Sequence, residues 1–384
     1  MQPTDLRVAL FSGNYNYVRD GANQSLNLLV GHLLSRGVKV RVYSPTVAEP
    51  AFPATGDLVD VPAIPLVGGR GEYRVALGIT PRVRRDIDAF APNIVHVSAP
   101  EFLGHAAVAY ARKRDIATVA SFHTRFETYF RYYKMGFLEP LAKKRLTRFY
   151  NRVEEVVVPG PSMADLLRRW GVKSSIGIWS RGINHDRFNP ARRDLAWRRS
   201  LGIADDEMVV GFLGRLVKEK GLDVFAEVLT ELRRRGVRHR VVVVGEGPAR
   251  DWFAGHVPEA VFTGFQSGDA LGRAVASMDV FFNPSVTETF GNVTLEAMAA
   301  SVPVVAARAT GAVDLIDDGS TGFLVPPTDI AGYADAIGRI VAEPGLRHAM
   351  GDAGHAKAAG YRWDVINQTV LDTYLAVMAR RGRG

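Results

Sequence analysis

Glu288 and Glu296 stand with seven residues between them in the stretch Asp279 to Ala307, DVFFNPSVTETFGNVTLEAMAASVPVVAA. The pattern predicts a strand ending near Asn283, a loop, and an amphipathic helix opened by Gly291 that carries Val293, Leu295 and Met298. A helix amino end binds anions through its free backbone N–H groups, and a glycine there lets a phosphate come close. Phe290, Gly291, Asn292 and Val293 are therefore candidates to cradle a diphosphate. Carboxylates beside a phosphate repel it, so Glu288 and Glu296 are better explained as acceptors for the vicinal hydroxyls of sugars. A second stretch, GFLGRLVKEKGLD from Gly211 to Asp223, ends a strand in a glycine turn and presents Arg215 and Lys220, five positions apart. Two such cations can neutralise a diphosphate, each charge-assisted contact contributing about 1.5–3 kcal/mol. Contacts that strengthen as negative charge builds on a departing diphosphate lower the barrier to breaking the sugar–phosphate bond.

Other motifs point to less. GEGPAR, Gly245 to Arg250, follows a strand but has Arg250 where a dinucleotide fingerprint needs a third glycine for close packing, so it reads as a plain strand-to-helix turn. Asp86 and Asp88 resemble a metal-binding D-x-D, yet RRDIDAF reads as a solvated helix face. His32, His105 and His256 lack partners at metal-ligand spacing. Two cations and a helix terminus supply positive charge, so neither a metal nor a cofactor is expected.

These residues need a frame. The chain has 384 residues with 47% hydrophobic and 23% charged side chains, 38 Gly and no Cys, which fits a two-domain globular protein and excludes disulfide scaffolds and a cysteine nucleophile. Short β-branched runs alternate with amphipathic stretches. Leu6 to Phe11, Val38 to Tyr43, Asn93 to Val97, Ile116 to Phe122 and Glu155 to Val158 predict buried strands. The series restarts with Met208 to Leu213, Arg240 to Val244, Ala260 to Thr263, Val280 to Asn283 and Pro303 to Ala307. Such alternation predicts an α/β protein with two Rossmann-like units in tandem. The boundary is expected in Ser180 to Arg199, where turn formers and charge interrupt the apolar period.

With its setting of NPSVTETFGNVTLEAMA followed by PVVA, E-x7-E resembles the signature of retaining glycosyltransferases of family 4, and similar stretches run from residue 11 to 325. The resemblance implies the GT-B fold: two Rossmann-like domains facing each other across a cleft, residues 1–184 with 365–384 holding the acceptor and 185–364 holding a nucleotide-sugar donor. It implies that Glu288 contacts the donor sugar, that Glu296 contacts the nucleotide ribose, and that Arg215 and Lys220 stabilise the leaving diphosphate. In FSGNYNYVRDGANQSL, Gly13 and Gly21 stand where the family has glycines before its first helix, with Asp20 in place of a glycine that often precedes the second. In ASFHTRFETYF, His123 resembles the histidine that faces the reacting sugar. Ser301 stands where many relatives end a helix with glycine, and Asp314 where many have glutamate. Retention is implied too, the acceptor oxygen attacking on the face from which the diphosphate leaves.

The formal charge of +8 is unevenly placed. Residues 1–184 carry 25 Lys+Arg against 15 Asp+Glu, or +10, and the remainder carries 23 against 25, or −2. That asymmetry favours a basic surface on one domain facing something anionic. Arg125 to Arg152, RFETYFRYYKMGFLEPLAKKRLTRFYNR, mixes aromatics with Lys134, Lys143, Lys144, Arg145, Arg148 and Arg152, and is expected to bury Leu138, Leu141, Leu146, Phe149 and Val153 as a stripe. A basic helix face beside exposed aromatics suits an anionic membrane surface. HTRFETY and WSRGI (Trp179 to Ile183) resemble the subgroup of sulfoquinovosyl diacylglycerol synthases and bacterial lipid α-mannosyltransferases. The expected reaction moves a hexose, first of all from GDP-mannose, to a lipid acceptor. UDP-linked glucose, glucuronate or sulfoquinovose are the alternative donors. The expected place is cytoplasmic and peripheral on the inner membrane face, since no apolar run reaches the length of a signal peptide or a span. Two other classes stay open: a GT-B nucleotide-sugar epimerase, and a nucleic-acid-binding protein, which would explain the basic half and leave the constellation above without a role.

Overall fold

A computed structural model describes residues 1–18, 20–65, 73–128 and 135–382. Two compact units account for them: one takes Met1–Glu127, Phe137–Arg181 and the C-terminal helix from Trp363, and the other is built on Gly182–Arg362.

In the first unit, β1 (Arg7–Phe11), β2 (Lys39–Ser44), β3 (Asp57–Asp60), β6 (Ile94–Val97), β7 (Ala117–Ser121), β8 (Glu155–Val158) and β9 (Ser175–Ile178) form one sheet, ordered β3-β2-β1-β6-β7-β8-β9. Every pairing is parallel, Leu10 aligning with Val42 on one side and His96 on the other. A parallel sheet must be covered on both faces, and the apolar runs obey: β6, β7 and β8 are buried along their whole length. A two-stranded antiparallel ribbon, β4 (Ala63–Pro65) with β5 (Arg74–Ala76), stands apart. The helix Gly21–Ser35 buries Leu26, Leu29, Val30 and Leu33, and Asp20 caps it by accepting from the Asn23 N–H.

The C-terminal helix Trp363–Arg381 belongs to this unit. Asn367 Oδ1 accepts from Trp179 Nε1 at 3.2 Å, Tyr374 Oη bonds the buried His96 Nδ1, and Arg380 pairs with Glu155 at 2.7 Å. Burial pushes His96 down to about 3, so it sits in the sheet as a neutral ring, its other nitrogen 2.6 Å from Ser121 Oγ.

The second unit repeats the plan. Here β10 (Val209–Leu213), β11 (Arg240–Val244), β12 (Val261–Gly264), β13 (Val280–Asn283), β14 (Val304–Ala307) and β15 (Gly322–Val325) run in the order β12-β11-β10-β13-β14-β15, all parallel. In both sheets the strand order reverses beside the first strand, between β1 and β6 and between β10 and β13. Such switch points leave a crevice at the carboxyl ends of the strands, the usual ligand position in open α/β sheets.

One sequence expectation is corrected. The helix Glu139–Tyr150 buries Leu146, Phe149 and Tyr150, with Val153 just beyond, whereas Leu138 is half-buried and Leu141 is 55% exposed. Of the first turn only Glu139 is buried, so the apolar stripe is covered from Leu146 onward alone; Lys134 lies outside the described residues. Asp86 and Asp88 lie, as expected, on the solvated face of a helix, Pro81–Phe90, Asp88 exposed and Asp86 half-buried; Asp86 accepts from Arg41 at 3.2 Å and Tyr43 Oη at 2.9 Å, and Asp88 from Tyr110 and Arg114.

Candidate functional site

In the second unit the site is built at the β10/β13 switch point. The loop after β10 carries Arg215, exposed, and then a turn of 3-10 helix, Lys218–Lys220, ended by Gly221 with φ +70°. A Cβ on Gly221 would lie 3.0 Å from the Pro284 carbonyl oxygen, so glycine lets this turn rest against the loop after β13. Ser285 and Thr287 bind the same Glu219 carbonyl at 3.5 and 3.3 Å, and Thr310 Oγ1 donates to the Glu288 carbonyl at 2.9 Å. Held from both sides, Lys220 Nζ and Glu288 Oε1 meet at 2.7 Å, with 30% and 14% of their side chains exposed.

Gly291 stands at the N-cap of the helix Asn292–Ala299 with φ +96°, a conformation other residues enter only with strain. Asn292 and Val293 supply the first-turn N–H groups, which have no acceptor within a helix. Phe290 is a core residue, 4% exposed and 6.0 Å from the Tyr361 ring, so what it can offer a ligand is backbone. Gly311 permits that packing, since a Cβ there would fall 2.7 Å from the Phe290 carbonyl oxygen. Glu296 follows on the same helix; burial pushes its carboxyl up to about 8, with Arg187 pulling the other way. Ser301, just past the helix end, adopts φ +56°. Asp314 lies in the short helix Ala312–Leu315, its N–H bonded to the Gly311 carbonyl.

In the first unit, the carboxyl ends of β1, β6 and β7 bring Gly13, Glu101 and His123 to the other switch point. A Cβ on Gly13 would stand 1.9 Å from Glu101 Oε2, so the absence of a side chain there makes room for a carboxylate. Burial pushes Glu101 up to about 7, and the Gly13 N–H bonded to it pulls in the opposite sense. Gly21 is the first residue of the capped helix Gly21–Ser35. His123 has Nδ1 2.6 Å from Arg181 Nη2 and its ring edge-on to Trp179 at 5.1 Å. Burial, then the charge of Arg181 and then His96, hold it well below the ordinary imidazole range.

Sequence reasoning missed Glu101 and Arg181. Glu101 had one usable signal, a lone acid of HVSAPEF in the loop that follows β6, and Arg181 had another, a cation inside WSRGI.

The basic helix of the first unit forms a further surface. Lys143, Lys144, Arg148, Arg152, Arg169 and Trp170 line an open groove of about 890 Å³, and Phe137 and Leu141 beside it are 79% and 55% exposed. Among the described residues no helix is long and apolar enough to cross a membrane, and no cluster of His, Asp and Glu could hold a metal ion.

Residues 19–187 match the family model described as Glycosyltransferase Family 4, and residues 207–343 the one described as Glycosyl transferases group 1. A GDP-mannose-dependent alpha-mannosyltransferase of Mycobacterium tuberculosis is 31% identical over 98% of this chain and 98% of its own length. Sulfoquinovosyl transferase SQD2 of Arabidopsis thaliana is 33% identical over 75% of this chain and 58% of its own length. Among solved structures, a sucrose-phosphate synthase from Thermosynechococcus elongatus superposes with TM-score 0.78 at 19% identity, covering 98% of this chain and 100% of that one.

Proposed function

Because the chain belongs to glycosyltransferase family 4, with the GT-B fold, and is a hexosyltransferase using a nucleotide-sugar donor, we propose that it moves mannose from GDP-mannose to a lipid acceptor, with retention, at an anionic membrane surface. The observation that supports the chemistry is the Lys220–Glu288 pair, a cation held against an acid in the loop that leads into the Gly291 helix end.

Each group then has a task. The Asn292 and Val293 N–H groups, Lys220 and Arg215 bind the diphosphate, and the two cations gain most as charge accumulates on it. Glu288, relieved of Lys220 by the phosphate, accepts from hydroxyls of the hexose, while Glu296 accepts from the ribose. Gly13 and Gly21 admit the donor closely in the first unit, and His123 meets the sugar. The acceptor oxygen bonds to the anomeric carbon as the anomeric carbon–phosphate oxygen bond breaks on the same face, and the acceptor's proton passes to the departing diphosphate. GDP-mannose is favoured by the full-length likeness to a GDP-mannose-dependent mannosyltransferase. A UDP-sugar donor is the second reading, supported by the likeness to the plant sulfoquinovosyl transferase. The lipid acceptor and the peripheral, inner-face location rest on the basic groove flanked by exposed Phe137 and Leu141.

Radiolabelled GDP-mannose and UDP-sugars offered with membrane lipid extract test this. Label from GDP-mannose in the organic phase is expected; label from a UDP-sugar alone would replace the donor, an altered nucleotide sugar formed without acceptor would establish an epimerase, and no turnover beside salt-sensitive DNA binding would reject the reading.

A further inference from the structure

Arg181 is buried, 4% exposed, in the segment that follows β9. Its Nη1 donates to the carbonyls of Trp179 at 3.1 Å and Ser180 at 3.0 Å, and its guanidinium carbon lies 4.9 Å from the centre of the Trp179 ring. Trp179 is itself fixed by the 3.2 Å bond from its Nε1 to Asn367 on the C-terminal helix. These contacts hold the guanidinium in one orientation and direct Nη2 at His123 Nδ1, 2.6 Å away.

A guanidinium has five N–H donors and no acceptor. At this distance the ring nitrogen must therefore present a lone pair, which leaves the imidazole neutral with its proton on Nε2. An Nδ1–H ring, or a doubly protonated one, would set N–H against N–H. We propose that Arg181 is a positioning residue that locks His123 as the Nε2–H tautomer, so that the ring offers the reacting sugar a hydrogen-bond donor and cannot serve as the base that takes the acceptor's proton. This rests on the reading that His123 faces the sugar.

The charged and titratable groups around the ring agree. Burial, Arg181 and His96 all disfavour protonation of His123. Burial lowers Arg181 to about 10, with Asp20 acting in the opposite sense, so the guanidinium keeps its charge at neutral pH.

The experiment uses the full chain with 15N-labelled histidine and long-range proton–nitrogen correlation, the His123 ring being assigned by its loss in His123→Asn. A neutral Nε2–H pattern that persists from pH 5.5 to 8 is expected. In Arg181→Met the tautomers should mix, with burial still holding the ring below its ordinary range, while kcat falls at least tenfold with KM for the nucleotide sugar changed less than about threefold. Should Arg181→Met fail to fold, Arg181→Lys, which keeps the charge and one donor, should retain the tautomer and recover part of kcat. An Nδ1–H or doubly protonated ring in the wild type at pH 7, an unchanged ring in Arg181→Met, or a tautomer lost in Arg181→Lys overturns the lock. A wild-type chain with the Nε2–H ring but no sugar transfer would keep the lock and reject the functional reading, so the two failures are distinguishable.

Discussion

Lys220 Nζ lies 2.7 Å from Glu288 Oε1, and the two residues come from loops that follow different strands, β10 and β13, on either side of a reversal in strand order. A partly exposed pair contributes about 1 kcal/mol or less to stability. What it does is hold a cation and an acid together across two loops. On the proposed reading the incoming phosphate takes Lys220 from Glu288 when the donor binds, so the cation is already in place as the diphosphate leaves.

Lys220→Ala, Arg215→Ala and Glu288→Ala are each expected to lower sugar transfer at least tenfold while the thermal midpoint moves little. Lys220→Ala should act mainly on kcat, because charge on the diphosphate is greatest in the transition state. Glu288→Gln should spare the diphosphate and weaken sugar recognition, so binding of the nucleoside diphosphate alone should be nearly unchanged by calorimetry. Wild-type turnover in the three alanine variants would reject the site.

The core strands could be read from the sequence because they are apolar on both faces, as RVVVV of β11 and EVVV of β8 show. Strands β3 and β9 could not: they close the ends of the sheet, half or more of each is accessible, and DLVD and SIGI carry no unbroken apolar run. The same logic divides the site. Gly291, Glu288 and Lys220 stand in contiguous loop patterns that name their own chemistry. Glu101 and Arg181 act on residues far away in sequence, Gly13 and His123, and only the assembled sheet brings them together.

Ser301 gives a stability prediction separable from function. It holds φ +56° at the end of the helix Asn292–Ala299, where a side chain adds strain that glycine avoids. Ser301→Gly should stabilise the protein by about 0.5 kcal/mol, the relief of strain being offset in part by the greater freedom of glycine in the unfolded chain. Chemical denaturation measures it, and transfer should be unchanged. A lower denaturation midpoint would show that the Ser301 hydroxyl has a role of its own.

The basic groove predicts a graded, charge-dependent affinity for membranes. Each Lys or Arg near an anionic surface contributes about 1 kcal/mol, screened by salt. Replacing Lys144 and Arg148 by Glu should reduce cosedimentation with anionic vesicles at least tenfold. Phe137→Ala should weaken it at any salt concentration, because the exposed ring contributes apolar burial rather than charge. Equal binding of the wild type to anionic and neutral vesicles would count against a membrane role for this face.

Glu296 supplies a pH dependence whose sign is fixed by its environment. Its carboxyl is raised from the ordinary 4.5 to about 8 in the folded chain without ligand, mainly by burial. Between those two values the native state holds a proton that the unfolded state has released, so this group's contribution to stability is lost as pH rises through about 8. Ligand binding runs the other way. On the proposed reading Glu296 accepts from both hydroxyls of a ribose, which only the ionised carboxylate can do, so the nucleotide would draw a proton off Glu296 when it binds. Affinity for the nucleoside diphosphate should therefore rise between pH 6 and 8, by up to about tenfold per pH unit, and level off above. Calorimetry in buffers of different ionisation enthalpy should detect a proton released on binding at pH 7. Glu296→Gln should abolish both the release and the slope, leaving a weaker and pH-independent affinity. A wild-type affinity that is flat over this range would remove Glu296 from the ribose site.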